Sequence, residues 1–243
     1  MQNIAQSLSE TIKFKMLKQY IASSKQKMYF IHKWTRKNIE YTDYELSLPC
    51  EVNILGKSKF DINVPTIAFG GTRSPTPEAF MQAHEIATNL AAKGYLLISG
   101  GIVGIDLAMH MGALESYVDF PVTCAVLANP VEYMLKGHGW NENKISKDIY
   151  DYGYFISEYT SFSPIGSREY KDRLLQRDRI ISGLSDIFLA FECSVDSATV
   201  DTAKRAYLQG KKVYVVHPKK DSKRRGTYQL AEEEWVEEFD INY

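Results

Sequence analysis

The residues best suited to meet a ligand fall in four short stretches, each directly after an apolar run. Gly70-Gly71-Thr72-Arg73-Ser74 combines two glycines, a hydroxyl and a fixed positive charge. Glycines let main-chain amides approach a ligand closely, and amides ahead of a helix form an anion site. The stretch matches neither G-x-G-x-x-G nor G-x-x-x-x-G-K-[ST], so an ordinary strand-to-helix turn accounts for it equally well. In Ser99-Gly100-Gly101-Ile102-Val103-Gly104-Ile105-Asp106, Gly100, Gly101 and Gly104 make a loop against which a phosphate can lie. Asp106 stands where a helix begins, so its carboxylate either caps that helix or contacts a ligand. His110, one helical turn on, has no partner at metal-ligand spacing and reads as a hydrogen-bonded structural histidine.

Arg177 and Arg179 bracket Asp178 in a basic stretch that also holds Arg168, Lys171 and Arg173. A guanidinium can bind phosphate through two parallel hydrogen bonds. On a helix Arg173 and Arg177 share a face and Arg179 points elsewhere, while Arg168 and Lys171 read as a solvated surface. Glu192 precedes Ser194, Asp196, Ser197, Thr199 and Thr202, a hydroxyl-rich turn that is either a second anion cradle or a helix cap. The candidate ligand or phosphate contacts are thus Gly70, Gly71, Thr72, Arg73, Ser99, Gly100, Gly101, Gly104, Asp106, Arg177, Arg179, Glu192, Ser197 and Thr199. No G-x-S-x-G elbow occurs, and the histidines are dispersed. Glu158 and Glu192 both end strands and would form an acid–base pair only if the topology joined them. No catalytic residue, metal site or cofactor is expected.

The elements that must hold these loops are legible from periodicity. TIAFGG, YLLISGG, VTCAVLA, GYFISEY, DIFLAFEC and KKVYVVHP are short apolar runs of buried-strand type. Between them PEAFMQAHEIATNLAAKG, IDLAMHMGALES, REYKDRLLQRDRIISGLS and ATVDTAKRAYLQG have helical spacing, with Gly94 and Gly210 as stops. Strands alternating with helices predict an α/β fold with a doubly wound, mostly parallel sheet, in which ligands sit at the carboxyl ends of the strands. Ser9 to Ser24 has helical spacing of Ile12, Met16 and Tyr20, so a short helix is expected there. The expected division is an N-terminal helical or irregular extension over 1–63, the α/β domain over 64–220 and an acidic tail over 221–243.

The 243 residues carry a net charge of -1, with 44% hydrophobic and 24% charged residues, which excludes disordered and collagen-like chains. Cys50, Cys124 and Cys193 lack disulfide-framework or zinc spacing, and no apolar run reaches the roughly 18 residues of a membrane span. A reducing, cytoplasmic setting without membrane contact is expected. The near-zero charge is an average over unlike segments. Residues 1–44 hold eight bases against three acids, and Glu232 to Tyr243 holds six acids and no base.

Taken in order, the segments from about Thr66 to Pro218 resemble the DNA-processing protein A family, DprA or Smf. AFGGTRSPT is similar to its strand followed by G-S-R-x-x-T, and LISGGIVGIDLAMHMGAL to S-G-x-A-x-G-I-D-x-x-A-H-x-x-A-L. FISEY, QRDRIISGLSDIFLAFE and SATVDTAKRAYLQGKKVYVVHP resemble the blocks that follow. The resemblance implies an extended Rossmann-like core that binds single-stranded DNA along a basic groove, helps load a recombinase onto it during DNA uptake, and forms a homodimer. It implies binding and handover rather than catalysis. Arg73, Gly100, Gly101, Gly104, Asp106, Arg177 and Arg179 match motif positions, with Arg73 and the basic helix as phosphate contacts. The chain departs from the pattern at Val103, Met109 and Asp178, where the family has an arginine, a small residue and an asparagine. Its trailing residues read as an acidic tail rather than the family's winged-helix module. Two other readings share the core: a nucleotide or nucleotide-sugar sensor, and a phosphoribohydrolase-like enzyme, whose P-G-G-x-G-T-x-x-E turn is replaced here by SVDSATVDT.

Overall fold

The computed structural model describes residues 10–13, 35–36, 39–40, 46, 49, 51–61, 63–101, 103–131, 133, 143–159, 166–218, 220 and 224–240. The strands are β1 (Glu10–Lys13), β2 (Thr35–Arg36), β3 (Ile39–Glu40), β4 (Glu51–Leu55), β5 (Thr66–Gly70), β6 (Leu96–Ser99), β7 (Thr123–Val126), β8 (Gly153–Ser157), β9 (Ile187–Ala190), β10 (Lys212–Val215) and β11 (Val236–Glu238). The helices are α1 (Pro77–Ala92), α2 (Ile105–Leu114), α3 (Asn143–Tyr152), α4 (Ser167–Leu184), α5 (Ala198–Leu208) and α6 (Gly226–Ala231). Nine strands form one sheet in the order β1-β4-β8-β7-β6-β5-β9-β10-β11, and β2 and β3 pair separately. From β8 to β11 every neighbouring pair is parallel, while β4 and β1 add antiparallel partners at one edge. The chain winds outward from β5 to β8 and then returns to β9 on β5's other side. The order therefore reverses between β5 and β9, and a crevice opens at their carboxyl ends.

Alternation within the strands builds a core on each face of the sheet. Ile67, Phe69, Leu97 and Leu189 face α1 and α2, whereas Ala68, Ile98, Phe188 and Ala190 face α4 and α5. Strands buried on both faces have no polar alternation, which is why they read as apolar runs. In α1, Ala79, Ala83, Ala87 and Ala91 recur at every fourth position and are buried. A Cβ on Gly112 would strike the His84 carbonyl, so α1 and α2 pack with almost no side chain between them. Thr88 ties the two by donating to the carbonyls of His84 and Gly112 at 3.0 and 2.9 Å.

One expectation needs correction. The stretch predicted as a helix from Ser9 contains β1, paired antiparallel with β4, and its remaining residues 14–24 lie outside the described residues. Thr11 and Ile12 are β-branched and favour the extended state once an edge is available. The sheet also reaches past both ends of the 64–220 span: β4 lies before it and β11 after it, and both are hydrogen-bonded in.

Candidate functional site

A cleft of about 360 Å³ opens at the crevice between β5 and β9. The loop after β5 contributes Gly70, Gly71 and Arg73, the loop after β6 contributes Gly100, and α2 contributes Asp106. One stripe of α4, comprising Lys171, Leu174, Leu175, Asp178 and Ile181, forms the opposite wall. These positions recur at helical i, i+3, i+4 and i+7 spacing, so they share one face. Phe69 and Phe188 close the sheet side, and Ala198, Thr199 and Thr202 enter from α5. Arg73 and Lys171 are exposed, and neither is paired with a carboxylate among the described residues.

Of the sequence-derived candidates, Gly70, Gly71, Arg73, Gly100, Asp106, Arg177 and Thr199 line this cleft. Thr72, Ser99, Gly101, Gly104, Arg179, Glu192 and Ser197 do not. Thr72 accepts from the Ser74 amide at 3.2 Å, and buried Ser99 donates to the Phe69 carbonyl at 3.0 Å. Ser197 accepts from the Val200 amide at 3.5 Å and caps α5. Leu174 and Leu175 carry no signal in the sequence beyond their helical spacing, whereas Lys171, read there as a solvated surface residue, and Thr202, read as part of the hydroxyl-rich turn, both line the cleft.

The glycine loops are shaped largely by the protein's own packing. Gly104 holds φ of 72°, and a Cβ there would collide with the Thr72 and Arg73 backbone. It is also the N-cap of α2, with no side-chain capping bond, so Asp106 sits in the first turn instead and complements the helix dipole. A Cβ on Gly100 would run into the Arg177 guanidinium. That guanidinium, on a residue 5% exposed, donates to the carbonyls of Gly100 at 2.5 Å and Val126 at 2.8 Å, so it ties the ends of β6 and β7 to α4. Arg179 lies outside the cleft, donating to both oxygens of Glu158 at 2.9 and 2.7 Å. Arg173 covers the Tyr159 ring at 4.2 Å and pairs with Glu169.

Glu192 accepts from the Thr76 amide at 2.7 Å and pairs with Arg224 at 2.7 Å, while Arg224 also donates to the Ser74 carbonyl at 2.8 Å. This clasp fixes the 72–76 loop that carries Arg73. Glu158 and Glu192 end β8 and β9, with β7, β6 and β5 between them. At four strand spacings they stand about 19 Å apart and cannot act as an acid–base pair.

Two buried groups near the cleft are strongly perturbed. Burial, reinforced by the Arg177 charge, lowers His110 to about 3, and its neutral ring meets the Thr123 hydroxyl at 2.6 Å. Burial pushes Asp178 up to about 7, opposed by Arg177 and Arg205. Among the described residues no cluster of His, Cys, Asp or Glu could hold a metal ion, and no helix is long and apolar enough to cross a membrane.

Comparison with known proteins gives a consistent picture. A family model described as DNA recombination-mediator protein A matches residues 40–239. The chain is 30% identical over 164 residues to a putative DNA processing protein DprA of Mycobacterium tuberculosis, covering 67% of this chain and 39% of that protein. It is 29% identical over 143 residues to protein Smf of a Synechocystis strain, covering 59% and 33%. The chain thus spans less than half the length of these curated relatives. Among solved structures, DNA processing protein A from Helicobacter pylori, described for its single-stranded DNA binding mode, superposes with a TM-score of 0.69 at 26% identity, over 84% of this chain and 91% of that one. DprA from Streptococcus pneumoniae superposes with a TM-score of 0.65 at 20% identity, over 89% and 74%.

Proposed function

The chain belongs to the DNA recombination-mediator protein A family, and on that premise we propose that it binds single-stranded DNA at the carboxyl edge of its sheet. The observation that carries this reading is the switch-point cleft with two exposed cations, Arg73 and Lys171, on opposite walls of its mouth. Phosphates would engage those two side chains, because Arg177 is committed to carbonyls and Arg179 to Glu158. Handover of the bound strand to a recombinase, action as a homodimer and a cytoplasmic location belong to the same proposal and rest on the family. The role so proposed is binding and handover rather than catalysis.

Fluorescence anisotropy with a labelled oligonucleotide at several salt concentrations tests it. Binding should weaken as salt rises, and each phosphate contact adds about 0.7 to the magnitude of the log–log slope for a single strand. Arg73→Ala and Lys171→Ala should each weaken binding and each flatten the slope by about that increment. Absence of binding at low salt would sink the proposal. A small nucleotide is the second reading, favoured by the cleft volume, which lies within the roughly 300–1,000 Å³ range of ligand pockets. Thermal stabilisation by a mononucleotide but not by an oligonucleotide would select it.

A further inference from the structure

The mouth of the cleft and its interior differ in charge. Arg73 and Lys171 are exposed at the rim, whereas inside it the Arg177 guanidinium is turned to the Gly100 and Val126 carbonyls. Asp178, 8% exposed, lines the same space, and Asp106 faces it from α2. Among the described residues the Asp178 carboxylate makes no hydrogen bond; its nearest cation, Arg177 Nε, is 3.6 Å away, beyond hydrogen-bond reach. The rest of the wall is mainly apolar, with Phe69, Leu174, Ile181 and Phe188 beside Thr199 and Thr202. A phosphate pushed into this interior would meet like charge in a desolvated site, where repulsion is strong. A flat nucleobase meets neither difficulty, because apolar walls suit its faces and a carboxylate accepts from its N–H groups.

We propose that the cleft receives a base of the single strand while the phosphates stay outside on Arg73 and Lys171, and that Asp178 accepts hydrogen bonds from the base's amino edge. Bases with an exocyclic amino group are then preferred over thymine, and guanine most of all, since its N1–H and amino group lie side by side. The inference rests on the single-stranded DNA reading and adds to it a determinant of base preference. Asp178 is the specificity residue; Asp106 reinforces the exclusion of phosphate.

The test compares an all-thymidine oligonucleotide with the same strand carrying one central dG, at pH 8.5, where Asp178 is ionised. The wild-type chain should bind the dG strand about tenfold more tightly, the order of one good base contact. Asp178→Asn keeps the side chain's size but removes its charge and one acceptor. It should bring the two affinities to within about twofold, mainly by tightening binding of the all-thymidine strand. Equal binding of both strands by the wild type overturns the inference while leaving DNA binding intact, as does an Asp178→Asn variant that keeps the full preference. Binding of neither strand overturns the reading beneath it.

Discussion

His110 and Asp178 are buried close to the same guanidinium, yet their burial acts on stability in opposite senses. His110 falls from 6.5 to about 3, so between those values the unfolded chain takes up a proton that the folded chain refuses. Its contribution is present above about pH 6.5 and lost on acidification, at up to about 1.4 kcal/mol for each pH unit. Asp178 rises from 3.8 to about 7, first through burial and further through Asp106 and Asp201, against the opposing charges of Arg177 and Arg205. In that window the folded chain keeps a proton that the unfolded chain has lost, so stability falls as pH rises to about 7. Asp178→Asn should therefore raise the urea midpoint over wild type at pH 8, by an amount that narrows toward pH 5. His110→Gln should flatten the loss of stability below pH 6.5. A wild-type minus Asp178→Asn difference that is equal at pH 5 and pH 8 would contradict this assignment.

At the scale of elements, Arg177 joins α4 to the ends of β6 and β7, and Gly100 is there because the guanidinium occupies the place of its Cβ. Arg177→Leu leaves two buried carbonyls without a donor and Asp178 without its nearest cation. Such changes cost about 3–5 kcal/mol, which equilibrium denaturation would read directly. Arg73→Ala touches none of this and should leave the midpoint within about 0.5 kcal/mol of wild type. This division explains what the sequence could reveal. The six central strands were legible because burial on both faces makes them continuous apolar runs. β4 was not, because Glu51 and Asn53 interrupt the apolar run of EVNIL although residues 52–55 are buried, and β11 was not, because VEE is a mostly exposed, charged edge. The glycine loops were legible as loops, but the space they leave is filled largely by Ile105, Arg177 and neighbouring backbone. Arg177 and Arg179 looked like phosphate ligands because composition does not reveal that carbonyls and Glu158 lie within their reach. The α4 stripe from Lys171 to Asp178 has clear helical spacing, but only the sheet order shows that it faces the β5 loop.

At the scale of the molecule, the net charge of -1 conceals a separation of charge along the sheet. The cleft opens between β5 and β9, while β11 carries exposed Glu237 and Glu238 at the far edge, two strands beyond β9. Exposed Glu232 and Glu234 precede it. Two strand spacings amount to about 10 Å, close to one Debye length at 0.1 M salt. Below that ionic strength the acidic edge should repel a strand approaching Arg73 and Lys171; well above it, the edge should be screened. Replacing Glu232, Glu234, Glu237 and Glu238 by glutamine should thus tighten oligonucleotide binding several-fold at about 0.02 M salt, and by less than about 1.5-fold at about 0.3 M. The gain should appear mainly in the association rate, because long-range charge acts on encounter rather than on the docked contact. An equal gain at both salts would mean that the glutamates touch the strand directly. No gain at the lower salt would mean that the bound strand leaves the cleft away from β10 and β11, toward β6.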